Sequence, residues 1–253
     1  MIKRIYSKFK RDGLISLLFA IIKYPLGYKR RRIYRNMLSK ENIADRFSEI
    51  YEQNLWSSDE SGSGDGSEVL STERMRAWLI DNLPKLGVEK FIDASCGDFN
   101  WMKYTLEDLK LNYLGLDIVK SVVDKNIKLH SNSSIRFEVS DICKDKIPPC
   151  DLIMVRDCLF HLSYQDIDNF LKNLSHTDYR YLLTTSHITN QTFKNSDITT
   201  GDFRIINLFV PPFSFNERLV KDRVLDCPAG SSSEKEMILI EKKDVPIELN
   251  AIK

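Results

Sequence analysis

A chain of 253 residues, 42% hydrophobic and 29% charged, holds one α/β domain of ordinary size plus an appendage, and its apolar content excludes a wholly disordered protein. The formal net charge of +1 hides a division: residues 1–35 carry eleven Lys/Arg against one acid, Asp12, while the other 218 carry 26 basic and 35 acidic residues. Five cysteines, Cys96, Cys143, Cys150, Cys158 and Cys227, form no CxxC pair and include an odd one. They indicate neither a disulfide framework nor a zinc site, and a reducing cytoplasm suits them.

The chain opens with an apolar run, Leu14 to Ile22, between Lys3, Arg4, Lys8, Lys10 and Arg11 on one side and Lys23, Lys29, Arg30, Arg31 and Arg32 on the other. Nine residues fall short of the roughly twenty that a spanning helix needs. No small-x-small cleavage site follows, so a signal peptide is disfavoured. We therefore expect residues 1–40 to form a basic, apolar arm, with residues 1–35 lying on an anionic membrane surface at the inner face; packing on the body or on a partner subunit is the alternative. Residues 41–253 form the remaining domain, too acidic to favour nucleic acid.

Phe47, Ile50, Tyr51 and Leu55 are spaced as one helical face, which predicts a lead-in helix within Asn42 to Trp56. Glu60-Ser-Gly-Ser-Gly-Asp-Gly-Ser67 follows and reads equally as a flexible linker or as a lid. Ser71 is the expected N-cap of a helix that buries Met75, Trp78, Leu79, Leu83 and Leu86 and ends at Gly87. Strands and helices then alternate. Strands are expected at Glu89 to Ala94, Tyr113 to Leu116, Ile135 to Val139, Asp151 to Val155 and Tyr181 to Thr185, with a last one at Met237 to Ile240. Helices are expected from about Asn100, near Val119 to Leu129, and after Ser163 with Asp166, burying Ile167, Phe170, Leu171 and Leu174. Such alternation argues for a doubly wound sheet.

Three of the strands stop at an acid: Asp93 in FIDASCGDFNWM, Asp117 after Tyr-Leu-Gly-Leu, and Asp141 in Phe-Glu-Val-Ser-Asp-Ile. Ligands of open α/β sheets bind at these carboxyl ends. A single glycine, Gly97, stands where a dinucleotide's pyrophosphate wants G-x-G-x-x-G, and the acidic Asp98 beside it suits a cationic ligand better.

These segments resemble motif I, the second-strand motif and the adenine-binding loop of class I S-adenosylmethionine (SAM)-dependent methyltransferases. The resemblance implies a mostly parallel, seven-stranded Rossmann-like sheet with its last strand inserted antiparallel, and SAM as cofactor. By the same resemblance Asp93, Cys96, Gly97 and Asp98 surround the methionine end, with Asp98 toward the ammonium and Asp93 fixing the loop from below. Asp117, with Ile118, takes the ribose hydroxyls, and Asp141 and Ile142 hold the adenine. Arg156 lies on the cofactor's side or pairs with a nearby acid. Arg156-Asp-Cys-Leu-Phe-His161 ends the fourth strand, facing the transferable methyl. His161 there reads equally as a general base or as a loop buttress, and Asp157 as base or orienting group.

A segment "W, then E-S-x-S-G-x-G-S" and a later N-x-D-I-x-x-G-x-x-R-x-x-N-L with P-F are similar to a bacterial, surface-polysaccharide-associated subgroup. This implies Asn195, Asp197, Arg204 and Asn207 as substrate contacts, a sugar or lipid-linked glycan as the acceptor of O-methylation, and no metal. The same residue types also serve a capped surface loop. The other readings are methylation of a small metabolite, lipid or protein side chain, or a non-catalytic scaffold with this fold.

Overall fold

The computed structural model describes residues 29–227 and 233–250; the apolar run Leu14 to Ile22 and most of the basic arm lie outside them. Seven strands make one sheet: β1 (Lys90–Ala94), β2 (Asn112–Asp117), β3 (Ile135–Val139), β4 (Leu152–Val155), β5 (Tyr181–His187), β6 (Asp222–Leu225) and β7 (Lys235–Glu241). Their order is β3-β2-β1-β4-β5-β7-β6, and β7 alone runs opposite to the other six. The sheet is therefore the expected one, with the Met237 to Ile240 strand inserted as anticipated.

Residues 29–38 form helix α1. The other helices are α2 (Ile43–Glu52), α3 (Glu73–Asn82), α4 (Met102–Glu107), α5 (Lys120–His130) and α6 (Tyr164–Ser175). Both faces of the sheet are covered, because alternate strand residues are apolar in both directions. Ile92, Leu114, Ile153, Leu182 and Ile240 meet α6 through Ile167, Phe170, Leu171 and Leu174. Phe91, Tyr113, Met154, Leu183 and Leu239 meet Met75, Leu79 and Leu83 on the opposite side. Burying each such side chain stabilises the fold by about 1.5–3 kcal/mol.

Local signals explain most boundaries. Asn42 caps α2 by accepting from the Ala44 N–H at 2.8 Å, and Ser163 caps α6 by accepting from Asp166 N–H. The N-cap of α3 is Thr72 rather than Ser71, and its hydroxyl donates back to the Glu68 and Val69 carbonyls instead of capping forward. Gly115 sits opposite Asp93 in β1; a Cβ there would lie 2.7 Å from the Phe137 ring and 2.9 Å from Cys96 Sγ. That crowding accounts for the glycine within an otherwise apolar strand.

Helix α1 is fastened to the body. Met37 is buried with Ile50 and Leu55, the Tyr34 hydroxyl donates to Asp202 Oδ1 at 2.7 Å, and an Arg30 N–H donates to the Leu55 carbonyl at 2.6 Å. The end of the expected 1–40 arm thus packs as part of the domain. No helix among the described residues is long and apolar enough to cross a membrane.

Candidate functional site

Seven strand ends meet at one edge of the sheet, because β7 enters there as β1 to β6 leave. They enclose a cavity of about 540 Å³, within the size range of small-molecule and cofactor sites. Its lining includes Asp93, Cys96 and Gly97 after β1, Asp117 and Ile118 after β2, Asp141 and Ile142 after β3, and Arg156, Asp157 and His161 after β4. A further wall comes from α2 and the segment after it, through Tyr51, Trp56, Ser63 and Gly66, and His187, Phe203 and Lys235 line the cavity as well.

The β1 turn is built by backbone contacts. Ser95, Gly97 and Phe99 all have positive φ, at 82°, 58° and 58°, and the Ser95 and Cys96 N–H groups donate to the Leu116 carbonyl. Gly97 is required twice over. Its φ favours glycine, and a Cβ would come within 2.2 Å of Ser63 Oγ. Asp117 ties this turn to β2: its Oδ2 accepts from Gly97 N–H at 3.0 Å and its Oδ1 from Val119 N–H at 2.9 Å. Asp117 lines the cavity, and each of its oxygens has a further lone pair beyond these bonds. Burial pushes the Asp117 carboxyl above its usual range, against the pull of those backbone bonds.

Asp93 lies below the turn, where its Oδ2 accepts from the Tyr113 hydroxyl at 2.9 Å, and burial raises its carboxyl to about 7. Asp141 closes its own turn, accepting from Cys143 N–H at 3.0 Å and pairing with Lys144 at 2.8 Å, while Ile142 is buried beside it.

Asp98 departs from expectation, for it does not line the cavity. Its carboxylate accepts from Gly62 N–H at 2.8 Å and from the Ser61 and Ser63 hydroxyls at 3.0 and 3.2 Å. Residues 60–67 are therefore neither a free linker nor a detached lid: they form a cap strapped onto the β1 turn. Asn100 completes the strap by donating to Glu60 Oε1 and to the Ser67 carbonyl.

At the end of β4 the charges pair among themselves. Arg156 makes a bidentate bond to the buried Asp226, at 2.8 and 3.0 Å, and donates to the Gly66 carbonyl at 2.8 Å. Asp157 pairs with Lys235, and Thr185 Oγ1 donates to it at 3.3 Å. Burial alone would raise the Asp157 carboxyl, yet the Lys235 and Arg156 charges overcome it and hold it at about 2. Asp157 is then an anion at every ordinary pH and a poor proton acceptor.

His161 stands apart from that network. Its Nδ1 lies 2.8 Å from the Asp202 carbonyl, which can only accept, so Nδ1 carries the proton and Nε2 offers its lone pair. Trp56, Phe160 and Phe203 surround the ring, with centroids 5.4, 4.6 and 5.9 Å away. Burial pushes its pKa below the ordinary 6.5, against the Asp202 bond.

The four expected substrate contacts do not line the cavity. Asn195 staples its own loop by donating to the Asn207, Val210 and Pro211 carbonyls, and Asn207 donates to Thr189 Oγ1. Asp197 accepts from Tyr164 N–H at 2.7 Å, at the start of α6, and the buried Arg204 lies over the Tyr164 ring. Asn195, Asp197 and Asn207 thus hold the loop together, while the Arg204 guanidinium, 3.7 Å from Asp197, makes no hydrogen bond among the described residues, and Phe203 is the loop's contribution to the cavity. Sequence reasoning missed His187, Lys235 and Asp226 as members of this site. Their signal was only the position of His187 at the end of β5 and the placement of the other two at strands flanking a turn.

Strand order, the antiparallel β7 and the cavity at the carboxyl edge define the class I SAM-dependent methyltransferase fold. Solved structures carry the same fold. Human N-acetylserotonin methyltransferase, solved in complex with SAM, is 14% identical with a TM-score of 0.51, over 78% of this chain and 56% of that one. The mitomycin 7-O-methyltransferase MmcR is 14% identical with a TM-score of 0.55, over 77% and 60%. The [4+2]-cyclase SpnF is 11% identical with a TM-score of 0.54, over 72% and 85%. This chain thus spans less than two thirds of the first two. No protein-family model matches the chain, and no curated protein sequence does.

Proposed function

We propose that the protein is a SAM-dependent O-methyltransferase. A fold shared with a cyclase does not fix the reaction, so the proposal rests on the site. The observation that carries it is His161, a neutral imidazole whose tautomer is fixed with Nε2 free, set at the end of β4 on a cavity flanked by Asp117 and Asp141. The donor set suits SAM: carboxylates for ribose hydroxyls and an amine, Ile118 and Ile142 for an adenine face, and a single-glycine turn without a phosphate cradle. When bound, SAM supplies an electrophilic methyl group. The acceptor's hydroxyl loses its proton to His161 Nε2 as its oxygen takes the methyl, and the aromatic walls hold it in line.

The finer reading, a sugar or lipid-linked glycan at the inner face of a membrane, is supported by the sequence resemblance and by Trp56 and Phe203, whose ring faces suit sugar C–H surface. The polar loop that suggested it contributes no other contact. A small metabolite, lipid or protein side chain would use the same walls.

Calorimetry tests the cofactor assignment. Wild-type protein should bind S-adenosylhomocysteine, and Asp117→Ala should weaken that binding by at least about 2 kcal/mol, since ribose hydroxyls lose a charged acceptor. Absence of binding to the wild type overturns the proposal; unchanged affinity in a folded variant removes Asp117 from the site.

A further inference from the structure

A second imidazole faces the same chamber. His187, 4% exposed, ends β5 and lines the cavity. Its Nδ1 is 3.2 Å from both the N–H and the carbonyl of Ile206. The carbonyl already accepts from His187 N–H at 2.7 Å. The Ile206 N–H, on a fully buried residue, has no such alternative. A buried N–H without an acceptor costs about 1–3 kcal/mol, and a protonated Nδ1 would set two N–H groups against each other. His187 therefore carries its proton on Nε2. Burial lowers its pKa, which keeps the ring neutral in that form. No partner for Nε2 of either histidine is present among the described residues.

The two rings are thus opposite in character. His161 offers a lone pair and His187 an N–H. Both contact Phe160, with centroids 4.6 and 5.3 Å away, and both contact Phe203, at 5.9 and 6.4 Å. Phe160 and Phe203 also touch each other, with centroids 5.4 Å apart, so both histidines sit beside one aromatic pair and line the same cavity. A hydroxyl alone would satisfy His161 and leave the buried His187 donor unpaired, which disfavours such a ligand. A molecule with a second oxygen near its hydroxyl satisfies both.

We propose that His187 is an acceptor-binding residue, and that the acceptor class carries two neighbouring oxygens: one donates its hydroxyl proton to His161 Nε2, and the other accepts from His187 Nε2–H. A catechol and a sugar diol share this chemistry. The inference rests on reading the cavity as an O-methylation site and adds to it the oxygen that is not methylated.

The test uses full-length, 15N-labelled protein saturated with S-adenosylhomocysteine, after calorimetry has established that binding. Long-range 1H–15N correlation of the imidazoles should show Nδ1–H for His161 and Nε2–H for His187. Catechol or methyl α-D-glucopyranoside should then shift both rings, and which of them does so identifies the source of the diol. Phenol should shift His161 alone and bind about ten-fold more weakly than the responding diol. His187→Phe should bring the diol down to the affinity of phenol, and His187→Gln, which keeps an N–H donor, should restore most of the difference. If His187→Phe fails to fold, the comparison of phenol with the two diols on the wild type decides. A proton on His187 Nδ1, equal affinities for phenol and both diols, or no shift of His187 with either diol overturns the proposal. Failure to bind S-adenosylhomocysteine overturns the cofactor reading instead, and the tautomer result stands independently of it.

Discussion

His161 and Asp157 lie four residues apart, and the sequence offered both as the base. Their surroundings separate them. Asp157 is neutralised by Lys235 and Arg156 and held at about 2, whereas His161 is kept neutral by burial with Nε2 open. His161→Ala should lower turnover by roughly 10²–10⁴-fold while leaving S-adenosylhomocysteine affinity nearly unchanged. The working form is the unprotonated ring, so the wild-type rate should fall as pH drops through the imidazole pKa and stay level above it. Because burial lowers that pKa, the limb should lie below 6.5. The variant should lack the limb. Asp157→Asn should keep it and instead lose thermal stability, since Lys235 then faces Asp226 alone at 3.7 Å. A limb that moves with Asp157→Asn, or a His161→Ala protein that loses stability and cofactor affinity together with rate, would sink the assignment.

The 60–67 cap shows how an element can be assembled from one distant carboxylate. Asp98 is the acceptor for three donors of that segment, and nothing else in the sequence marks 61–63 as its partners. Asp98→Ala should free the cap. Amide exchange at 60–67 should rise while the sheet stays protected, and cofactor affinity should fall, because Ser63, Gly64 and Gly66 line the cavity. Unchanged exchange would show that the strap holds without Asp98. Sequence was informative where one pattern had one physical outcome. Strands apolar on both faces had to be buried, and acids ending them had to gather at one edge. It was uninformative where one residue type serves two purposes. Asn195 and Asn207 can hydrogen-bond a sugar or a loop equally well, and only their neighbours show that they bond the loop. Strand β6 escaped because it lies at the sheet edge and half of Asp-Arg-Val-Leu is exposed, so burial imposed little pattern on it.

Across the whole molecule, one buried network joins the two ends of the site. Arg156 at the end of β4 bonds to the Gly66 carbonyl of the cap and to Asp226 after β6, and Lys235 at the start of β7 bonds to Asp157. Asp226→Ala would leave Arg156 without its carboxylate in a position only 6% exposed, which should cost about 3–5 kcal/mol. Chemical denaturation of variant and wild type measures this, and a loss below about 1 kcal/mol would show that Asp157 compensates alone.

At the other end of the chain, α1 braces the loop that orients His161. Tyr34 bonds to Asp202, whose carbonyl fixes the imidazole, and Arg46 of α2 bonds to the Thr200 carbonyl at 2.9 Å. The sequence places the apolar run and six of the arm's eleven basic residues upstream of this brace, so the proposed membrane role is separable from the brace by truncation. Removing residues 1–28 should release the protein from anionic liposomes yet leave S-adenosylhomocysteine affinity and turnover nearly intact. Salt should weaken the attachment of the full chain only in part, since it screens the charged contacts and leaves apolar burial. Removing residues 1–38 should release it equally and also lower turnover, because the Tyr34 bond goes with them, while Asp117 and the β1 turn keep the cofactor. Equal sedimentation of the full chain and the 1–28 deletion would refute the membrane role, and equal turnover of the two deletions would refute the brace.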